Sequence, residues 1–193
     1  RLAARGWLDR AFVYWIDEPS EKDFPRVMTG MRRLADRMPR VARLLTKEPR
    51  AELEGPGAPN LWCPILDAWN PDRAAARRRL GDRFWWYVCT GPKAPYPGEF
   101  IDHAAPELRV WCWQTWAERV EGILIWATDY WTTPAAYPEP GRPQNPYEDP
   151  MSWVREAAPG VRKPWGNGDG RFLYPPESAI EGPAPRRGSG PVL

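Results

Sequence analysis

Five short apolar runs rich in β-branched and aromatic residues, Ala11–Ile16, Val41–Thr46, Leu61–Leu66, Phe84–Cys89 and Ile123–Thr128, recur along the chain with helical patterns between them. After the first run, Phe24, Val27, Met28, Met31, Leu34, Ala35 and Met38 keep the beat of an amphipathic helix with one face inward. Ser20 and Asp23 form a capping box ahead of it. Asn70-Pro71 opens a second helix that runs through Leu80 and stops at Gly81; Pro106 opens a third, which Gly122 ends. The link from Lys47 to Asn60, with Glu54-Gly55-Pro56-Gly57-Ala58-Pro59, holds too many breakers for a helix, so one crossover is irregular.

Alternating strands and helices imply parallel strands with right-handed crossovers, in an open doubly wound sheet or a (β/α)8 barrel. No glycine-rich phosphate loop follows any run, which favours the barrel. A complete barrel needs eight strands in about 250 residues. Five fit before residue 132, so residues 1–131 are expected to be the C-terminal part of a TIM-type α/β barrel whose first units lie upstream. Arg1 is not an initiator Met and the first residues lack a signal-peptide core, so the N-terminus reads as truncated. Localisation, cytoplasmic or exported, is left open.

Past Trp131 the composition changes: 13 of the 25 prolines and 8 of the 16 glycines fall there. Such a stretch reads as lacking regular structure, yet it keeps Tyr137, Tyr147, Trp153, Trp165, Phe172 and Tyr174, too many aromatics for plain disorder. Residues 132–180 are therefore expected to be a long ordered loop over the barrel mouth, and 181–193 a flexible end.

With 27 basic and 25 acidic side chains the chain is too balanced for nucleic acid or an anionic membrane as its main partner. No apolar stretch approaches the ~20 residues of a membrane span. Cys63, Cys89 and Cys112 are odd in number and set among apolar neighbours, which reads as buried free thiols. With His103 the sole histidine, neither a zinc site nor a His-based triad assembles, and no metal or cofactor is called for. Chemistry is left to carboxylates, amides, hydroxyls and aromatics. The oligomeric state is not legible.

In a barrel the active site forms at the carboxyl ends of the strands. Those ends offer Asp17 and Glu18, Thr46 and Lys47, Asp67 and Trp69, Thr90, and Asp129, Tyr130 and Trp131. The foremost candidate is Asp17-Glu18, which abuts the first run; Ser20 and Asp23 already cap the next helix, so the pair is not needed as a cap. Carboxylates interleaved with indoles suit a sugar: acid and base for the acetal, flat apolar faces for the ring. Most of the 13 tryptophans, including Trp85, Trp86, Trp111, Trp113 and Trp116, are expected between sheet and helices; Trp62, Trp69, Trp131 and Trp165 are assigned to the pocket. Asp102-His103 is read as structural ahead of an acid–base pair, and Gly166-Asn167-Gly168-Asp169-Gly170 as a tight turn ahead of an ion site.

The segments Tyr14-Trp15-Ile16-Asp17-Glu18-Pro19, Trp86-Tyr87-Val88-Cys89-Thr90-Gly91-Pro92, Gly122-Ile123-Leu124-Ile125-Trp126 with Tyr130-Trp131, and the glycine-rich turn followed by Leu173-Tyr174-Pro175 run in order over most of residues 11–176. Together they resemble the catalytic barrel of family 123 glycoside hydrolases and the related domain of unknown function 4091. The resemblance implies a retaining exo-β-N-acetylgalactosaminidase acting on a 2-acetamido sugar at a non-reducing end, with the substrate's own acetamido group as nucleophile. It further implies Glu18 as general acid and base and Asp17 as the residue that orients the acetamide and stabilises the oxazoline. Asp67, Trp69, Tyr96, Asp129, Trp131 and Trp165 are the substrate-binding candidates. The alternative is a non-catalytic carbohydrate-binding or structural domain, or an inactive fragment.

Overall fold

The computed structural model of the protein describes residues 1–131, 144–159, 161–176 and 190–191. Strands β1 (Phe12–Tyr14), β2 (Ala42–Leu45), β3 (Leu61–Trp62), β4 (Arg83–Tyr87) and β5 (Gly122–Leu124) lie side by side in chain order, and every neighbouring pair is parallel. A doubly wound sheet reverses its strand order at a switch point, and this one does not. The unbroken order is that of an arc of a TIM-like barrel. Helices α1 (Phe24–Arg37), α2 (Pro71–Arg78) and α3 (Pro106–Ala117) join β1 to β2, β3 to β4 and β4 to β5. The breaker-rich link between β2 and β3 carries a single 3-10 turn, Ala51–Leu53, and no α-helix.

The chain forms two compact units, one of residues Arg1–Tyr87 and Cys112–Leu124 and the other of Val88–Trp111 and Ile125–Leu193. In the first, α1 lays Phe24, Val27, Met28 and Met31 against Leu45, Trp62 and Phe84 of the sheet, with Leu53 and Ala58 from the irregular link and Ala74 from α2 closing the cluster. Each large side chain buried this way contributes roughly 1.5–3 kcal/mol. The helix starts follow the sequence signals. Ser20 N donates to Asp23 Oδ2 at 3.0 Å ahead of α1, and Asn70 Oδ1 accepts from Arg73 N at 2.9 Å at the start of α2. Past α2, Gly81 takes φ +90°, a left-handed turn that glycine enters without penalty.

Four expectations are corrected. Gly122 does not end α3: the helix stops at Ala117, Arg119 turns the chain at φ +54°, and Gly122 opens β5. A Cβ at Gly122 would sit 2.7 Å from the Trp85 indole nitrogen, so the glycine marks a close approach of strand and ring. Trp62 is fully buried and donates its Nε1–H to Asp82 Oδ2 at 2.6 Å, which places it in the core and not in a pocket. Trp86 and Trp111 are buried as expected, but Trp113 and Trp116 are 68% and 78% exposed. At about 100° per residue, Trp113 lies on the opposite face of α3 from Trp111, so the two rings cannot share one buried stripe. Among the cysteines Cys63 is buried, Cys89 half-buried and Cys112 exposed, so the expectation of three buried thiols holds only at Cys63.

In the second unit, Met151–Ala158 (β6) and Val161–Asn167 (β7) pair antiparallel, with register shifts at Met151/Trp153, Trp153/Val154 and Glu156/Ala158. This is regular structure where the proline and glycine content argued for none. A two-stranded ribbon has two open edges, so it accommodates Pro164 and bulges that a central strand would reject. Of residues 181–193 only Gly190–Pro191 (β9) is described, and it pairs with Leu173–Tyr174 (β8). Among the described residues no helix is long and apolar enough to cross a membrane.

Candidate active site

Asp17 and Glu18 follow β1 at the C-terminal edge of the sheet, and both are solvent-exposed. Thr46 follows the last residue of β2, Cys63 follows β3, and Tyr87 ends β4, so one edge of the parallel arc carries them all. That is the edge at which barrel active sites assemble.

Hydroxyl groups hold the acidic pair from three strands. The Thr46 side chain works in both directions: its Oγ1 accepts from the Glu18 backbone N–H at 2.7 Å and donates to Asp17 Oδ1 at 2.9 Å. Tyr14, the last residue of β1, donates its O–H to the same Asp17 oxygen. Tyr87 donates to Glu18 Oε1 from β4, two strands removed from β2, so this bond crosses the arc. The bonds fall on one oxygen of each carboxyl. Glu18 sits at φ +38°, a left-handed conformation that costs a non-glycine residue ~1–2 kcal/mol and persists only when its surroundings impose it.

Burial, and then the hydrogen bond to Asp17, push the Tyr14 phenol well above its ordinary value of 10.0, so it stays a neutral donor. The Cys63 thiol is likewise pushed up, by burial first and then by the charge of Asp17, and stays a thiol with no nucleophilic character. The arrangement therefore offers two adjacent carboxyl groups, oriented by neutral hydroxyl donors.

The remaining candidates are spread over both units. Asp67 is exposed in the 3-10 turn Leu66–Ala68 after β3. Trp69 is committed to packing: its ring meets Phe84 and Trp86 edge-on at centroid distances of 5.5 and 5.3 Å, and its Nε1–H donates to Glu118 Oε2 at 3.0 Å. In the second unit Tyr96 is 39% exposed, Asp129 is exposed and bridges Arg171 through the backbone, and Trp131 Nε1 donates to the Leu173 carbonyl at 2.8 Å. Trp165 lies in β7, and its side chain falls outside the described residues. Asp102 and His103 are engaged separately, Asp102 by Asn167 and His103 by Glu107 at 2.9 Å. The glycine-rich segment is the turn expected of it, with Gly168 at φ +83° and Gly170 at φ +77°.

Sequence reasoning passes over Tyr14 and Tyr87 as donors to the pair. The available signal is a tyrosine at the C-terminal end of a parallel strand, which Tyr14 and Tyr87 share.

No curated protein matches the chain. A solved structure of a family 123 glycoside hydrolase from Clostridium perfringens, reported for its hydrolysis of glycolipid glycans, is similar in fold, with a TM-score of 0.57 at 19% sequence identity. The likeness covers 92% of this chain and 28% of that one, so the chain spans under a third of its length. The model of the glycoside hydrolase 123 catalytic domain matches residues 1–184. By that match over nearly its whole length, on an arc of parallel strands with paired carboxylates at its C-terminal edge, the chain belongs to the glycoside hydrolase 123 catalytic-domain family.

Proposed function

We propose that the protein containing this chain is a retaining glycoside hydrolase of the exo-β-N-acetylgalactosaminidase kind, acting by substrate assistance through Glu18 and Asp17. The observation that carries the reading is the adjacency of the two carboxyl groups at one strand end, each clamped by a hydroxyl from another strand. A nucleophile and an acid acting from opposite sides of one bond stand ~5 Å apart across the sugar. Neighbouring residues at one strand end suit that poorly, whereas a 2-acetamido group and the glycosidic oxygen lie close together on the substrate.

In this mechanism the acetamide carbonyl oxygen attacks the anomeric carbon as its bond to the leaving oxygen breaks. Glu18, protonated, gives its proton to that oxygen. Asp17 orients the acetamide and offsets the positive charge of the oxazolinium formed. Water then attacks the anomeric carbon, Glu18 takes the water's proton, and the oxazoline opens to restore the acetamide. Two inversions leave the configuration retained. The related Clostridium perfringens enzyme is named for glycolipid glycans, which supports a glycan substrate here.

The test compares Glu18→Gln and Asp17→Asn in the intact enzyme. Glu18→Gln should lose ~10²–10⁴-fold on substrates with poor leaving groups and far less on an activated aryl glycoside, which needs no proton. Asp17→Asn should damage both and lose affinity for a thiazoline mimic of the intermediate. Equal losses on every substrate, or a thiazoline inert against wild type, would refute the assignment.

A further inference from the structure

The second unit holds two carboxyl groups that the proposed reaction does not use. Glu99 is 5% exposed and Asp169 fully buried. Asp169 Oδ1 accepts from Trp126 Nε1 at 3.0 Å, and the same carboxyl is stabilised by the Gly170 backbone N–H and by the Lys93 ammonium. Asp169 Oδ2 and both oxygens of Glu99 meet no N–H or O–H donor among the described residues, yet the two carboxyl groups lie within hydrogen-bonding reach of each other. Between two carboxyl groups a hydrogen bond exists only if one carries a proton. An unpaired buried carboxylate is costly enough to take one up.

One proton satisfies the site. Placed on Glu99 it gives an O–H donor to Asp169; burial pushes the Asp169 carboxyl up as well, but at Asp169 an indole, a backbone amide and an ammonium work against that and favour the negative charge there. The glycine-rich turn explains why the pair meets at all. A Cβ on Gly166 would lie 2.4 Å from Phe100 Cδ1 and one on Gly168 2.8 Å from Ile101 Cγ2, so the turn presses its bare backbone on the segment that carries Glu99. The same two segments are joined by Ile101 N to the Asn167 carbonyl at 3.0 Å, and by Asn167 N and Nδ2 to the Asp102 carboxylate at 2.7 and 2.8 Å.

We propose that Glu99 and Asp169 share one proton, held as a Glu99 carboxylic acid against an Asp169 carboxylate, and that this proton is a catch fastening segment 98–103 to the turn at 166–170. When it leaves to solvent, two charges face each other in a buried setting, and separating the segments relieves them. Burial first, and then Asp169, push Glu99 from its ordinary 4.5 up to about 9. The fastened state therefore binds a proton that the opened state releases, and opening gains with rising pH across that interval. The other titratable or charged groups around the pair are Lys93, whose Nζ lies 4.0 Å from the Phe100 ring centroid, Cys89 near Lys93, Asp102, His103 with its partner Glu107, Tyr130 against Trp126, and Arg171, which bonds the Tyr130, Asp149 and Met151 carbonyls.

Hydrogen exchange of peptides spanning 98–103 and 166–171 in the intact protein, corrected for intrinsic rates, tests this. Between about pH 6 and 8 their protection should fall about tenfold per pH unit in the wild type. In Glu99→Gln, whose amide donates to Asp169 without a titrating proton, it should stay flat. Imidazoles titrate in the same interval, so His103→Asn is the control and should keep the wild-type slope. Infrared spectra should also show a protonated carboxyl carbonyl band at neutral pH that persists in Glu18→Gln, where the catalytic acid cannot contribute it, which decides the matter if Glu99→Gln does not fold. Flat protection in the wild type, an unaltered slope in Glu99→Gln, loss of the slope in His103→Asn, or no such band would overturn the proposal.

Discussion

Thr46 Oγ1 accepts the Glu18 backbone N–H at 2.7 Å, which ties the end of β2 to a residue held at φ +38° beyond the end of β1. The same hydroxyl donates to Asp17, so a single buried side chain sets both carboxylates. Thr46→Val keeps the shape and removes both bonds. We expect a loss of about 1–3 kcal/mol in thermal denaturation, from polar groups left unpaired. We also expect kcat to fall at least about tenfold, since misplaced groups lose rate steeply. Thr46→Ser should stay close to wild type. A Thr46→Val enzyme with unchanged melting temperature and kcat would show that the hydroxyl clamps nothing.

The two tyrosines divide the pair between them. Tyr87 bonds Glu18 and Tyr14 bonds Asp17, so Tyr87→Phe should slow poor leaving groups selectively while Tyr14→Phe slows activated and unactivated substrates alike. Each should lower stability by only about 0.5–1.5 kcal/mol, the worth of one hydrogen bond. The ratio of kcat/KM on the two substrate types is the readout. The same ratio for both variants would mean that neither hydroxyl acts through its own carboxylate.

What could be read from the sequence follows from the range over which each signal acts. The runs and helices fall where apolar periodicity puts them, because burial of one face is a local pattern, and Asn70 and the Ser20–Asp23 pair mark helix starts through contacts within one turn. Asp17 and Glu18 stand out because carboxylates at a strand end need a reason to be there. Tyr87 does not stand out, since its partner is 69 residues away and only the arc of the sheet brings them together. Trp113 and Trp116 mislead because counting aromatics ignores helical phase, and the β6–β7 hairpin misleads because an open ribbon tolerates the residues that break a central strand.

Gly30 lies within α1, where alanine ordinarily adds up to ~1 kcal/mol of stability. Here a Cβ would sit 2.2 Å from Trp15 Cζ2, so Gly30→Ala should instead destabilise by about 1–3 kcal/mol through overpacking. Trp15 stands two residues before Asp17, and moving its ring should also lower kcat. Calorimetry and steady-state rates check the two parts. A Gly30→Ala protein that melts higher than wild type would show that the indole moves aside without cost.

Trp69 separates packing from sugar contact, because its indole is occupied on several sides. Phe84 and Trp86 meet it edge-on, Glu118 accepts its N–H at 3.0 Å, and the Arg78 guanidinium lies 5.6 Å from its ring centroid. Trp69→Phe keeps most of the ring and removes the hydrogen bond to a carboxylate, which should lower stability by about 1.5–3 kcal/mol. Trp69→Ala should lose about 3–5 kcal/mol by opening a cavity beside the core. In Trp69→Phe the inhibition constant of a monosaccharide analogue should stay within about twofold of wild type, whereas losing a ring that stacks on the sugar weakens binding by ~1 kcal/mol or more. A Trp69→Phe enzyme that keeps its melting temperature but binds the analogue tenfold worse would return Trp69 to the substrate.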